Sequence, residues 1–225
     1  LKGIIHNLKS IINVIISTVK AKKIIKNYKP DIVVGTGGYV CYPVLKAAAS
    51  LGIPTVVHES NAFPGLTTRM LESVVDKILV GFEESRQHYK NPDKIIVSGT
   101  PVRGEFNKYT KESAKAELGI PQDMPLVVSV WGSLGAEHMN EAICELIRLA
   151  DRNAGFRLIH SAGTAGYDKM VETLNELAPD YAQNGMDVRK YIYDIPRVMA
   201  AADLVLSRAG ASTVTELTYM RKPTI

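Results

Sequence analysis

Two strand-to-helix junctions carry the residues best able to do chemistry. In "VVSVWGSLGAEHMNEAI" an aliphatic run ends in Gly132-Ser133-Leu134-Gly135-Ala136 and passes into a helical pattern. In "DLVLSRAGASTVTE" a second run ends in Gly210 and Ala211, followed by Ser212 and Thr213. Small residues let a ligand approach the backbone. The free N–H groups and positive end of the following helix face whatever sits there. Ser and Thr can cap that helix and donate to phosphate oxygens. The chemistry is that of a phosphate or diphosphate seat. The first junction lacks the Lys of a P-loop, which argues against nucleoside triphosphate hydrolysis. Glu216, one turn into the second helix, can accept hydrogen bonds from a neighbouring pair of ribose hydroxyls. Taken alone, it would read as an acid complementing the helix dipole. A second glycine loop facing it across one cleft tips the reading toward a nucleotide.

Three further stretches offer polar groups at strand ends. "TGGY" (Thr36 to Tyr39) has paired glycines suited to a diphosphate, though an ordinary tight turn explains it equally well, and it is not GxGxxG. "PTVVHESNAFPG" places His58, Glu59 and Asn61 where they can project into a cleft. A lone His is more often a structural hydrogen-bonder than a base, and no HExxH is present. "SGTPVRGEF" sets Arg103 after a strand, where its planar fork suits phosphate or a surface salt bridge. No Asp-x-Asp pair for a bridging divalent metal, no GxSxG and no readable hydrolase triad occur.

The elements that must hold these groups alternate. Strand-like runs are "DIVVG", "PTVVHE", "DKILVG", "KIIVSG", "LVVSVWG", "RLIHSAG" and "DLVLSR", with helical stretches at 43–51, 66–74, 136–150 and 167–177. Continuous Val, Ile and Leu is what a parallel sheet covered on both faces requires. The alternation predicts a doubly wound α/β fold, with ligands beyond the carboxyl ends of the strands. The polar, proline-bearing stretch from Gly99 to Pro125 suggests a boundary. The expectation is two Rossmann-like domains, 1–105 and 106–225, with a cleft between them.

At 225 residues, 46% apolar, the chain can bury a substantial core. The net charge is +4, and "VKAKKIIKNYK" holds five Lys in eleven positions, either a solvated helix face or a surface for an anionic neighbour. Cys41 and Cys144 form no CxxC pair, which suits a reducing compartment and argues against a disulfide framework or zinc site. No apolar run is long enough to span a bilayer. Leu1, Ile4, Ile5, Leu8, Ile11, Ile12, Ile15, Ile16 and Val19 follow helical spacing, and Lys222-Pro223-Thr224-Ile225 opens like a strand. The chain therefore reads as truncated at both termini.

Together, "GTGGYVCYPVLKAAASLGIPTVVHESNAFPGLTTR", "GTPVR", "WGSLGA" and "RAGASTVTEL" resemble one family across nearly the whole chain. It is the family of bacterial UDP-N-acetylglucosamine–N-acetylmuramyl-(pentapeptide) pyrophosphoryl-undecaprenol N-acetylglucosaminyltransferases, which form lipid II. The resemblance implies the glycosyltransferase-B fold, an N-terminal acceptor domain and a C-terminal donor domain. It implies inverting transfer of N-acetylglucosamine from UDP-N-acetylglucosamine to the muramyl sugar of the lipid-linked acceptor, in peptidoglycan synthesis and so in cell shape and division. Carried over by motif, Asn61, Arg103, Ser133, Ile192, Ala211, Ser212, Thr213, Val214, Thr215 and Glu216 would contact the donor. Ile192 would lie beside the uracil and Glu216 at the ribose. Gly37, Gly38 and Tyr39 would face the acceptor diphosphate, and His58 and Glu59 are candidate bases. The expected place is the cytoplasmic face of the bacterial membrane, peripherally bound, with no cofactor, metal or nucleic acid. Thr100 stands where the family usually has Asn, and Trp131 where it usually has Gly. Rival readings are a UDP-N-acetylglucosamine 2-epimerase of similar fold and a non-catalytic nucleotide-sugar-binding module.

Overall fold

Strands of this chain bury aliphatic side chains on alternating sides, and that alternation sets the layers. In the computed structural model, which describes residues 2–132, 135–150 and 154–225, with side chains from residue 12 onward, the chain divides into two compact units. The first runs to Pro101 and the second is Val102–Ile225. Val102 and Phe106 pack into the second unit's core, which draws the boundary to the start of the Pro-Val-Arg segment.

The first unit comprises α1 (Lys2–Tyr28), β1 (Val33–Gly35), α2 (Cys41–Ala49), β2 (Thr55–Glu59), α3 (Leu66–Leu71), β3 (Lys77–Val80) and β4 (Ile95–Val97). Its four strands are parallel, in the order β1-β2-β3-β4. Val57, Ile78, Val80 and Ile95 meet Leu45 of α2 and Leu71 of α3 in one core. Each such buried side chain contributes about 1.5–3 kcal/mol. The long helix α1 packs on α2 through Ala21 and Ile25 against Ala47 and Ala48. Much of its remaining apolar stripe faces outward: Ile15, Val19 and Ile24 are 59%, 65% and 66% exposed.

The second unit comprises α4 (Lys111–Glu117), β5 (Leu126–Val130), α5 (Glu137–Leu149), β6 (Arg157–Ser161), α6 (Tyr167–Leu177), β7 (Met186–Arg189), α7 (Ile195–Ala201), β8 (Leu204–Ser207) and α8 (Ala211–Tyr219). Its parallel sheet has the order β7-β6-β5-β8. Leu126, Val128 and Ile159 point to a core with α7 and α8, while Leu158 points to another with α5 and α6. Both faces are covered, as parallel sheets require. At the amino ends of the strands, Asp203 accepts from Leu126 N at 2.9 Å and pairs with the buried Lys115 at 3.0 Å and with Lys111. Burial pushes the Asp203 carboxyl up, but these donors win and hold it at about 2. Pro223 and Ile225 continue beside β8, through Val205 N to Pro223 O and Ser207 N to Ile225 O, each at 3.0 Å.

Candidate functional site

In the second unit the strand order reverses between β5 and β8, which places a crevice at their carboxyl ends. The two glycine junctions lie there side by side, because Val130 of β5 is in register with Ser207 of β8. Gly132 adopts φ +89°, and a Cβ built on it would stand 2.5 Å from Arg208 Nη2. That arginine reaches across the crevice and donates to the Trp131 carbonyl. Gly135, at φ +76°, passes so close to Ala162 O that a Cβ would lie 2.1 Å from it. Neither the start of α5 at Ala136 nor that of α8 at Gly210 has a side-chain cap. Met139 N turns back to Ala136 O at 3.0 Å, so among the described residues the N–H groups ahead of it in α5, and those of Ala211 to Thr213 in α8, are the ones that can receive an anion.

Thr213 and Ile192 line a cavity of about 150 Å³ at this end, with Val130, Gly132 and Ser161. It is smaller than the ~300–1,000 Å³ typical of a whole ligand pocket and suits one end of a ligand. Ile192 is 5% exposed and belongs to the hydrophobic core. Glu216, in the second turn of α8, stands 4.0 Å from Arg103 Nη2. Burial raises the Glu216 carboxyl above its ordinary range, and Arg103 opposes that rise. The Arg103 guanidinium sits over the Phe106 ring at 5.4 Å. Thr215 turns its hydroxyl back to Ala211 O at 2.9 Å, while Val214 N bonds Gly210 O. Ser133 lies outside the described residues. Arg208, absent from the sequence-based set, joins the site through its reach to Trp131. Its only sequence signal is its place directly after a strand, before Ala-Gly-Ala.

The first unit gathers His58, Glu59 and Asn61 at the end of β2. The Glu59 carboxylate accepts from Asn61 N at 3.0 Å, Asn61 Nδ2 at 2.9 Å and Gly65 N at 2.9 Å. Burial pushes it up, but these donors and Thr68 hold it below the usual carboxylate range. Its geometry is that of a loop organiser tying residues 60–65 to the start of α3. His58 Nε2 lies 2.9 Å from Gly99 O, which only accepts, so Nε2 carries the proton. Nδ1 is left facing Ser60 Oγ at 3.4 Å. Gly37 and Gly38 take φ of +89° and +77° with open space beside them, and Tyr39 is 84% exposed. Tyr39 also lines an apolar groove of about 660 Å³ with Val14, Lys20, Ile24, Val40 and Val44. A cavity of about 320 Å³ runs between α5 and α6, from Gly135 and Ala136 at one end to Leu177 at the other. Among the described residues, no group of three or more His, Cys, Asp or Glu side chains could hold a metal ion.

Two parallel-sheet units, one with a reversed strand order, have the architecture of a glycosyltransferase-B type of α/β chain. The comparisons narrow the class. A model described as the glycosyltransferase family 28 N-terminal domain matches residues 2–80, and the C-terminal domain of the same family matches residues 126–225. The chain belongs to glycosyltransferase family 28. A relative from Acetivibrio thermocellus, named UDP-N-acetylglucosamine–N-acetylmuramyl-(pentapeptide) pyrophosphoryl-undecaprenol N-acetylglucosamine transferase, is 46% identical over 92% of this chain and 55% of its own length. One of the same name from Caldanaerobacter subterraneus is 41% identical over 97% of this chain and 59% of its own. The chain thus spans somewhat over half the length of the relatives it matches. The crystal structure of Acinetobacter baumannii MurG aligns with a TM-score of 0.61 and 27% identity, over 90% of this chain and 54% of that one. A UDP-GlcNAc 2-epimerase from Neisseria meningitidis bound to UDP-GlcNAc aligns at 0.68 but with 16% identity, over 94% and 63%, a likeness of fold alone.

Proposed function

We propose that this chain serves inverting transfer of N-acetylglucosamine from UDP-N-acetylglucosamine to the muramyl sugar of undecaprenyl-diphosphate-linked muramyl-pentapeptide, the step from lipid I to lipid II. One observation carries the reading: two uncapped helix starts after glycine turns meet at the β5–β8 crevice, with Glu216 one turn deeper. That is a seat for a diphosphate with a carboxylate within reach of a ribose. The names of the relatives supply the sugar and the acceptor. Their 41–46% identity favours transfer over the epimerase reading, whose structural likeness stops at the fold.

In this reading the second unit binds the donor through Arg103, Ser133, Ile192, Ala211 to Glu216 and the newly added Arg208. The first unit binds the acceptor, with Gly37, Gly38 and Tyr39 at its diphosphate, and contributes Asn61 to the donor. The C4 hydroxyl of the muramyl sugar attacks the anomeric carbon, the new O4–C1 bond forms, and the bond from C1 to the diphosphate oxygen breaks. UDP leaves with the bonding pair, and the hydroxyl proton passes to a base. Free N–H groups, Arg103 and the α8 hydroxyls stabilise the charge that develops on the diphosphate. Within this chain His58 is the better proton acceptor, since its Nδ1 has only a long contact to displace, whereas every oxygen of Glu59 is engaged.

The lipid-linked acceptor requires the first unit to meet a membrane, here the cytoplasmic face of the bacterial membrane, peripherally. Exposed Ile15, Val19 and Ile24 beside Lys20, Lys22, Lys23, Lys26 and Lys29 support α1 as an interfacial element. No helix among the described residues is long and apolar enough to cross a membrane. Titration with UDP-N-acetylglucosamine, with and without a lipid-linked acceptor analogue, tests the whole reading. Transfer should require both, first in the full-length protein. Epimerised sugar without acceptor, or donor binding with no transfer by the full-length protein, would overturn it.

A further inference from the structure

A chain of buried polar groups starts at the residue that opens the first glycine turn. The Trp131 indole is 8% exposed, and its Nε1–H donates to Ser129 Oγ at 2.7 Å. Ser129 Oγ lies 2.9 Å from His160 Nδ1, and both residues are fully buried. His160 Nε2 lies 3.1 Å from Asn140 Oδ1, and Asn140 Nδ2–H donates to Ala162 O at 2.9 Å.

Donor and acceptor chemistry fixes the direction of this chain. A backbone carbonyl only accepts, so Asn140 turns its amide nitrogen to Ala162 and its oxygen to His160. That oxygen cannot donate, so His160 carries its proton on Nε2. Nδ1 is then an acceptor, and the Ser129 hydroxyl donates to it while accepting from Trp131. Every group is satisfied only if the imidazole is neutral in this one tautomer, and full burial favours the neutral ring.

The chain joins pieces distant in sequence. Ser129 is on β5, Trp131 opens the glycine turn, His160 is on β6, and Asn140 lies in the first turns of α5. Gly135 packs on the same Ala162 carbonyl, and a Cβ on Gly166 would stand 2.3 Å from Asn140 Nδ2. The two ends of the turn are therefore tied to the carboxyl end of β6, one through Ser129 to His160 and the other to Ala162 just beyond the strand.

We propose that His160 is a positioning residue. Through Ser129 and Asn140 it holds Trp131-Gly132 and the start of α5 in the geometry that receives the donor diphosphate. The proposal rests on the donor-site reading above.

The test uses the full chain and UDP as probe, read by calorimetry and by the emission of Trp131, the single tryptophan. His160→Leu keeps bulk but removes both hydrogen bonds. It should weaken UDP binding about tenfold and shift Trp131 emission to the red, in line with one hydrogen-bonded contact misplaced. His160→Gln restores one acceptor and one donor and should bind within about threefold of wild type. Should the Leu variant fail to fold, Ser129→Ala removes a single hydroxyl and should also lose about tenfold. A folded Leu or Ala variant that binds UDP like wild type overturns the proposal, as does a Gln variant no better than Leu. Wild type that binds no UDP overturns the donor-site reading itself and this proposal with it, an outcome distinct from wild-type binding that survives the substitutions.

Discussion

Mild acid should weaken the second unit through His160. Burial holds this imidazole at about 4, against an ordinary value of 6.5. The folded state keeps the ring neutral, whereas the unfolded chain protonates it as the pH falls through 6.5. Between those values the unfolded state binds more protons, so stability falls as the pH falls and levels out below about 4. A gap of about 2.5 pH units, at about 1.4 kcal/mol each, amounts to about 3 kcal/mol. That is a large share of a typical domain's ~5–15 kcal/mol. Asp203, held at about 2, contributes stability that is lost only as the pH falls from 3.8 through that value, outside this window. The assay is urea unfolding at several pH values between 7 and 4, followed by Trp131 emission, which reports on the second unit. His160→Gln cannot titrate, and all other acid-sensitive groups are common to both proteins. Wild type should lose about 3 kcal/mol more than the variant across the range. Parallel curves would refute a buried neutral imidazole and the hydrogen-bond direction built on it.

Three further outcomes are expected. Gly135→Ala places a Cβ against Ala162 O in a left-handed backbone, which costs roughly 1–2 kcal/mol from conformation alone and more from the clash; a lowered unfolding midpoint with weakened UDP binding checks it. Thr100 Oγ1 is buried without a partner among the described residues, so Thr100→Val should stabilise the first unit by about 1 kcal/mol; a lower denaturation midpoint would contradict this. Replacing Lys20, Lys22, Lys23, Lys26 and Lys29 with Gln should reduce co-sedimentation with anionic vesicles, at about 1 kcal/mol per Lys near the surface, most visibly at low salt. Equal binding to neutral vesicles would move the anchor elsewhere.

The α/β alternation was legible because buried parallel strands are aliphatic along their whole length, as in "LVVSVWG". Strand β7 was not, since "MDVR" alternates Asp187 and Arg189 with apolar residues at the edge of the sheet. Helix α7 was missed because it is only seven residues long and carries Pro196 in its first turn. The glycine turns announced themselves by composition. The hydrogen bonds behind them did not, because His160 lies 31 positions from Ser129 and 20 from Asn140. Glu59 shows the same limit. A carboxylate at a strand end reads as a possible base until the backbone N–H groups of Asn61 and Gly65 are placed upon it. Trp131, bulky for a phosphate turn, fits because β5 gives its indole a buried hydroxyl to bond.

The central claim is that a uridine diphosphate sugar sits at the β5–β8 crevice with Glu216 at its ribose. Calorimetric titration of UDP-N-acetylglucosamine into wild type and Glu216→Gln tests it most directly. Loss of a charge-assisted hydrogen bond, worth roughly 1.5–3 kcal/mol, predicts binding weakened by at least about tenfold in a variant that unfolds at the wild-type midpoint. Equal affinity in the two proteins, or no binding to either, would contradict it.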